Sequence, residues 1–326
     1  MLDDGDTSIQ WRPSASNDAL IKRARLLAQV REFFALRRVL EVDLPVLGER
    51  TVSDPHLDSL YTEGSSLYAE GSRQYLQTSP EYFMKRLLAS GSGPIYALAK
   101  AFRAGDRGHQ HNPEFTLLEW YRPGWDESQL MAELAELLLS VGCTPHATAQ
   151  RVTYRDIFLA TVNLDPHLAS LVKLAELASD IAQRDMSGES RATCLDLIFS
   201  FEIEARLPPG IVFVHDYPEC LCALAQLGVD EQGVTVARRF EVFLDRIELA
   251  NGYFELLDAD EQRRRFSEDN RQRKAMGKVE IVADEKLLGA LEAGLPSCAG
   301  VALGIDRLLM HLVGAQHIDE VIAFSN

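Results

Sequence analysis

Arg307 is the residue of this chain whose neighbours most invite chemistry. It closes the stretch Gly300-Val-Ala-Leu-Gly-Ile-Asp-Arg307, in which Gly300 and Gly304 bracket a short apolar run and Leu308 to Val313 continues as an amphipathic segment. The pattern predicts a strand, a tight turn, and then a helix with an arginine in its first turn. Glycines admit a close backbone approach, and a helix N-terminus beside a guanidinium favours a phosphate. A packed strand–helix corner with Arg307 in a structural ion pair would be spelled the same way.

A second arginine, Arg103, ends the apolar run 95–102. After the polar loop 104–112 comes Pro113-Glu-Phe-Thr-Leu-Leu-Glu-Trp-Tyr121, a strand–loop–strand pattern with Glu119 and Tyr121 on one face and Leu118 and Trp120 on the other. The third concentration is Arg238 to Glu255. A two-residue turn at Asp245-Arg246 would set Leu244 opposite Ile247 and Phe243 opposite Glu248, with Glu241 diagonal to Glu248 on the same face. Like charges that close need a cation between them, or one must keep its proton. Two hard carboxylates suit Mg2+ held partly through substrate phosphates. Asn251-Gly252 predicts a bulge, and Glu255 adds a third acid. Acids decorating an edge strand would also fit. Taken together, Arg103 and Arg307 for phosphates with Glu241 and Glu248 for Mg2+ form the footprint of an ATP site on a sheet.

The elements that must hold these residues are legible around them. A helix is predicted from Asn17, with Leu20, Ala24, Leu27, Val30 and Phe34 on one face and Lys22, Arg23 and Arg25 turned outward. It runs into the strand Val39–Asp43, stopped by Pro45. Tyr75-Leu-Gln-Thr-Ser-Pro-Glu81 leads a strand into a helix over 82–88, with Pro80 and Glu81 suited to its first turn. A helix is expected over 126–142. Residues 150–210 read as a mostly helical insertion without a site-like cluster, and 211–215 as a buried strand. Residues 1–16 read as a flexible tail, and 17–326 as one domain.

With 326 residues and 46% apolar content the chain can bury a large core. The 33 basic residues against 49 acidic ones give a net charge of −16, which argues against a broad nucleic-acid or membrane footprint while leaving room for local arginines to hold a nucleotide. Five unevenly spaced cysteines do not make a disulfide framework, and Cys220-Leu-Cys222 lacks the second pair of a metal site. With no basic-then-apolar leader and no long apolar run, a cytoplasmic protein is expected.

The motifs resemble the catalytic core of class II aminoacyl-tRNA synthetases of the lysyl type. Three signature regions stand in order: the helix–strand–Pro45 segment, Phe102-Arg103 through Glu119, and Gly300 through Arg307. Thr78-Ser-Pro-Glu81, His111-Asn-Pro-Glu-Phe-Thr-Leu-Leu-Glu-Trp-Tyr121, Ile247-Glu-Leu-Ala-Asn-Gly252 and Ala302-Leu-Gly304 resemble more closely the stand-alone members that join (R)-β-lysine to a lysine of elongation factor P. The likeness covers about residues 17 to 325.

The resemblance implies an α+β fold, an antiparallel six- to seven-stranded sheet flanked by helices, and a homodimer formed through the first motif. It implies ATP and Mg2+ as cofactors and an AMP-forming ligase activity. Arg103 would hold the α-phosphate and the substrate carboxylate, and Arg307 the γ-phosphate. Phe115 would stack on adenine, with His111, Asn112, Leu249 and Gly304 lining the nucleotide. Glu241 and Glu248 would bind Mg2+. Asn251 would orient the substrate carboxylate, Ser79 and Pro80 would contact the substrate, and Glu81, Glu255 and Tyr121 would surround its ammonium groups. Ala302, where lysyl synthetases have glycine, would disfavour α-lysine and suit an amine on the β-carbon, a bias of about 1–3 kcal/mol.

Only about 16 residues precede the first helix, too few for the anticodon-binding domain of a lysyl synthetase, so tRNA is not expected as a partner. The chain departs from the family at Gly105, where an acid is usual and Asp106 stands one step along. It departs again at Phe254, where the stand-alone group commonly has histidine, and at Val39 in place of a glycine. A paralogue charging tRNA or a free amino acid, asparagine synthetase-like for instance, or a catalytically silent regulator, would share the scaffold.

Overall fold

In the computed structural model the described residues are 11–63, 73–143 and 149–325; the first ten residues of the expected tail lie outside them. Ser14, within that tail, donates its N–H to the carbonyl of Ala323 at 2.9 Å, and its Oγ accepts from the N–H of Ser325 at 2.9 Å.

The first half of the chain runs α1 (Asn17–Leu36), β1 (Leu40–Glu41), β2 (Leu47–Gly48), β3 (Tyr61–Glu63), β4 (Arg73–Leu76), α2 (Glu81–Ala89), β5 (Ile95–Phe102), β6 (Glu114–Pro123) and α3 (Glu127–Ser140). The second half adds β7 (Gln150–Thr153), α4 (Tyr154–Val162), α5 (Leu171–Ala182), α6 (Arg191–Ile198), β8 (Ile211–Pro218), β9 (Leu227–Val229), β10 (Thr235–Leu244), β11 (Ile247–Phe254), α7 (Ala259–Ala275), α8 (Glu285–Gly294), β12 (Cys298–Gly304) and α9 (Ile305–Val313). Side-chain caps fix several starts: Ser16 accepts from the N–H of Ala19 at α1, and Asp126 with Gln129 closes a capping box on α3.

The main sheet has the order β1-β5-β6-β12-β11-β10-β8-β7, with β9 paired to β10. Six strands, β5 through β8 along that path, are antiparallel, and β9 is an antiparallel seventh. The two outermost strands, β1 and β7, join in parallel, an addition that the antiparallel expectation did not include. β2, β4 and β3 form a separate small sheet.

Alternation along the strands sorts side chains onto two faces. One face packs Leu118, Trp120, Val242, Leu244, Val301 and Leu303 against α1, α3 and α9. The other face is covered only at its ends. There Ile95, Ala97, Tyr121 and Cys298 meet α2, α7 and α8 at one end, and Val212, Val214, Ala237 and Phe243 meet α4 to α6 at the other. Between those two clusters the sheet floor is polar and open. No helix among the described residues is long and apolar enough to cross a membrane.

The face expected for α1 is displaced: Val30 and Phe34 are buried as expected, but Leu20 and Leu27 are only half-buried and Ala24 is exposed. Its buried residues are Ala19, Leu26, Val30, Phe33 and Phe34, and Arg23 turns inward instead of outward. Arg23 Nη1 lies 2.5 Å from Asp306 Oδ1, and its Nη2 donates to Thr116 Oγ1 at 2.7 Å. A buried carboxylate on α9 outweighs the helix's own periodicity at that position.

Candidate active site

The open middle of the sheet floors a cleft of about 1250 Å³. Strand register builds its floor as rows. One row runs Ala97, Glu119, Ala302, Asn251 and Glu241 across β5, β6, β12, β11 and β10; the next runs Ile95, Tyr121, Gly300, Tyr253 and Arg239; all but Ala97, Glu241 and Ile95 line the cleft. The Asp245-Arg246 turn forms as expected, both residues at positive φ, with Leu244 opposite Ile247 and Phe243 opposite Glu248. The bulge sits earlier than Asn251-Gly252: the register slips opposite Val242/Phe243, leaving Leu249 as the extra residue. That slip carries the geometry. Glu248 and Asn251 are three apart and would face opposite ways on a regular strand, whereas here their partners Phe243 and Glu241 share a face.

At one end of the cleft the two arginines expected for phosphates converge with the adenine candidates. Arg103 leaves β5 with its N–H bonded to the carbonyl of Pro113 at 3.0 Å, and its guanidinium lies 5.1 Å from the Phe115 ring centroid. Its Nε is buried without a protein partner, a donor available to a ligand. Arg307, in the first turn of α9, donates to the carbonyl of Glu248 at 2.7 Å and to that of Gln110 at 3.3 Å, and its Nη2 lies 2.6 Å from His111 Nε2. A guanidinium can only donate, so His111 must accept and be neutral; burial and the neighbouring Arg307 push its pKa down accordingly. Asn112 is held by its Nδ2 bond to the carbonyl of Glu114 at 2.6 Å. Gly304 is the N-cap residue of α9, and Leu249 is buried beneath the cleft. Gly105 has φ +82, a conformation that disfavours side chains, and Asp106 beside it lines the cleft in its stead. Phe254 lies under the guanidinium of Arg238 at 3.9 Å.

At the other end is a pouch of acids. Pro80 is the N-cap residue of α2 and Glu81 opens the helix. Ser79 Oγ donates to Glu119 Oε2 at 2.7 Å, and the Tyr121 hydroxyl donates to Glu119 Oε1 at 2.7 Å. Lys85 Nζ sits 2.6 Å from Glu81 Oε1 and 2.7 Å from Glu255 Oε2, with Lys85, Glu119 and Glu255 all at most 2% exposed. Burial, then the charge of Glu81, pushes Glu119 up to about 8. Burial likewise raises Glu255 to about 7 against the pull of Lys85. Gly300 makes room here: a Cβ on it would stand 2.3 Å from Tyr121 Cε1 and 2.5 Å from Glu255 Oε1.

Of the metal candidates, Glu248 lines the cleft, and Glu241, outside its lining, shares an adjoining small cavity with Glu248. Glu241 accepts from the Tyr217 hydroxyl at 2.7 Å and pairs with Arg239. Burial lifts its pKa above the ordinary range; Arg239 opposes the rise and Glu248 adds to it. Among the described residues no three His, Cys, Asp or Glu side chains converge as a metal cage. Two carboxylates alone fit Mg2+, an ion that keeps waters and takes phosphate oxygens for its remaining ligands.

Several residues escaped the sequence reading. Glu119 was placed on the right face with Tyr121 but given no role. Lys85 carried no signal beyond being a lysine one turn after Glu81. Segment 150–210, read as free of site residues, brings Glu204 to a small cavity of about 160 Å³ that Glu241 and Glu248 also line; burial, then Glu248 and Glu241, raises Glu204 to about 7. No spacing rule points from that segment to β10.

A family model described as tRNA synthetases class II (D, K and N) matches residues 6–326. Curated relatives include a protein of Vibrio vulnificus (strain YJ016) named elongation factor P–(R)-β-lysine ligase. It is 47% identical over 319 residues, covering 96% of this chain and 97% of the relative. Proteins of the same name from Edwardsiella ictaluri (strain 93-146) and Proteus mirabilis (strain HI4320) are 46% identical over 319 residues and 45% over 324, each covering at least 96% of both chains.

Proposed function

The chain belongs to the class II tRNA synthetases of the D, K and N type, and from that premise we propose that it is an ATP-dependent, AMP-forming ligase that activates (R)-β-lysine and joins it to a lysine of elongation factor P. The observation that carries this reading is the juxtaposition in one cleft of two arginines and a pouch of three carboxylates, two of them buried and Glu81 partly so, a layout for a triphosphate beside a small dication. The names of relatives that align along nearly the whole chain supply the amino acid and the acceptor.

In the first step a carboxylate oxygen of β-lysine attacks the α-phosphorus of ATP, and pyrophosphate leaves. Arg103, with an unpartnered Nε aimed at no protein group, holds the α-phosphate and the attacking carboxylate in line, and Arg307 holds the terminal phosphate. Each is a charge-assisted contact of about 1.5–3 kcal/mol. Phe115 offers its ring to adenine, with Asn112, His111, Leu249 and Gly304 around it. Asn251, whose buried Oδ1 has no protein partner, faces the amino acid with Ser79 and Pro80. Glu81, Glu119, Glu255 and Tyr121 hold its ammonium groups, and Ala302, in the same row as Glu119 and Asn251, limits space at the α-carbon. Mg2+, held by Glu241 and Glu248, would neutralise phosphate charge.

In the second step the acceptor's ε-amine, as the free base, attacks the activated carbonyl carbon. The amide forms, AMP leaves with the bonding pair, and the amine nitrogen loses its second proton. Catalysis here is positioning and charge stabilisation, without a covalent enzyme intermediate. The reading includes a homodimer through α1 and β1, where Leu36 and Leu40 stay 76% and 56% exposed. An enzyme acting on a translation factor would work in the cytoplasm.

The test is the intact mass of purified elongation factor P after incubation with the enzyme, ATP, Mg2+ and (R)-β-lysine. A gain of one lysyl unit is expected. An unchanged mass, with tRNA or a free amino acid acylated instead, would refute the assignment.

A further inference from the structure

The Lys85 ammonium is sealed between Glu81 and Glu255 and lies outside the residues that line the cleft, whereas both of its partners line it. We propose that Lys85 is a specificity-determining residue that sets the charge of the amine pouch, so that the pouch is electrically complete only with a doubly cationic ligand. The proposal rests on the ligase reading above and deepens it.

The count is direct. Glu81, Glu119 and Glu255 carry −3 when ionised, Lys85 carries +1, and −3 + 1 = −2, which two ammonium groups neutralise and one does not. Charges outside the pouch also reach its walls: Arg239 and Glu241, paired to each other, act on Tyr253, and Asp269 and Asp284 act on Tyr82. The remaining titratable groups packed on the pouch are Tyr82 on α2, Tyr121 on β6, Tyr253 on β11 and Cys298 on β12, and burial raises all four, so they stay neutral. A permanent internal cation differs from a titrating one. Burial pulls the Lys85 pKa down, but Glu255 and Glu81 outweigh it and hold it above its ordinary value. The ammonium therefore persists across the physiological range.

Without that cation the pouch would take up protons in its place. Glu255, raised by burial and held down chiefly by Lys85, would keep its proton to higher pH. With Glu119 also protonated, the pouch would present too few anions to reward a second ammonium. Lys85 thus lowers the pH at which the cluster reaches its full anionic count, so that a second ammonium is rewarded nearer neutrality.

The test measures binding to the full chain by calorimetry between about pH 6 and 9, with (R)-β-lysine and with 3-aminohexanoic acid, which lacks the terminal amine. The wild-type protein is expected to bind the diamine at least about 100-fold better, a difference near that of one charge-assisted contact, with affinity rising as Glu255 and Glu119 ionise and levelling above about pH 8. In Lys85→Met that rise moves about one pH unit or more upward, and at neutral pH the preference for the diamine falls at least tenfold. Lys85→Met/Glu255→Gln restores the count to −2 and is expected to return the rise toward wild type, while the preference stays reduced because Glu255 itself holds an ammonium. This double variant carries the test if the single one fails to fold, since it leaves no bare buried charge. A structural role alone would lower affinity at every pH without moving the rise. An unmoved rise and an unchanged preference in Lys85→Met, or a rise in the double variant displaced upward from that of wild type, would overturn the proposal. Failure of the wild-type protein to bind the diamine at any pH would overturn the ligase reading and this proposal with it.

Discussion

Replacing Glu119 by Gln gives a prediction whose sign changes with pH. Glu119 is 2% exposed and accepts from Ser79 and Tyr121, and its pKa rises from 4.5 to about 8 because burial and Glu81 oppose its charge. A carboxyl with a raised folded-state pKa favours the folded state while protonated. Its contribution is therefore intact below about pH 4.5 and is lost as pH climbs through about 8. At about 1.4 kcal/mol per pH unit, the rise amounts to a liability of up to about 5 kcal/mol for the ionised group in the ligand-free protein. Glutamine removes that liability. It also replaces one of two acceptor oxygens with an amide NH2 facing a hydroxyl, a loss of about 1–2 kcal/mol. Glu119→Gln should therefore be less stable than wild type by about 1–2 kcal/mol near pH 4.5 and more stable by about 3 kcal/mol near pH 9. Urea unfolding of both proteins across that range, without ligand, reads the difference directly, and Glu81 and Glu255 are common to both. A difference independent of pH would refute the claim that Glu119 is a strained buried acid. The same substitution should weaken β-lysine-dependent pyrophosphate exchange at pH 8 at least tenfold, as one ammonium contact is lost.

The phosphate reading predicts that Arg307→Ala nearly abolishes pyrophosphate exchange, by about 100-fold or more in kcat/KM; an active variant would remove Arg307 from the phosphates. Gly300→Ala would push a methyl to 2.3 Å from Tyr121 and 2.5 Å from Glu255. A rise in KM for β-lysine with KM for ATP unchanged is expected, together with about 1–3 kcal/mol of lost stability in thermal or urea unfolding. Arg23→Met would leave the buried Asp306 carboxylate without its cation, held only by the Thr116 N–H at 2.7 Å, while the Thr116 hydroxyl, next to Phe115, loses its partner. About 3–5 kcal/mol of destabilisation and a raised KM for ATP are expected, and an unaffected ATP KM would show that the link does not reach the nucleotide.

Much of the local structure was legible because it depends on near neighbours. Glu119 and Tyr121 sit two residues apart on an alternating strand, Gly304-Ile-Asp-Arg307 spells a strand stop and helix start, and Asp245-Arg246 is flanked by strands that allow a two-residue turn. Each of these needs only the period of one element. The family likeness then proposed which of them meet at a triphosphate.

What the sequence alone could not decide were relations between elements. The row Glu119–Ala302–Asn251–Glu241 exists only because β6, β12 and the β10–β11 hairpin, distant along the chain, settle into one register, and a one-residue slip at Leu249 keeps Glu248 on the working face. Period-two patterning fixes each strand's faces but not which residue lies beside which. Lys85 and Arg23 make the same point for charge. On a helix both look like solvated cations, and only the packing of α2 against Glu255 and of α1 against Asp306 removes the water. Once water is gone, an opposing carboxylate outweighs the preference of a lysine or arginine for solvent, and that balance belongs to the folded chain.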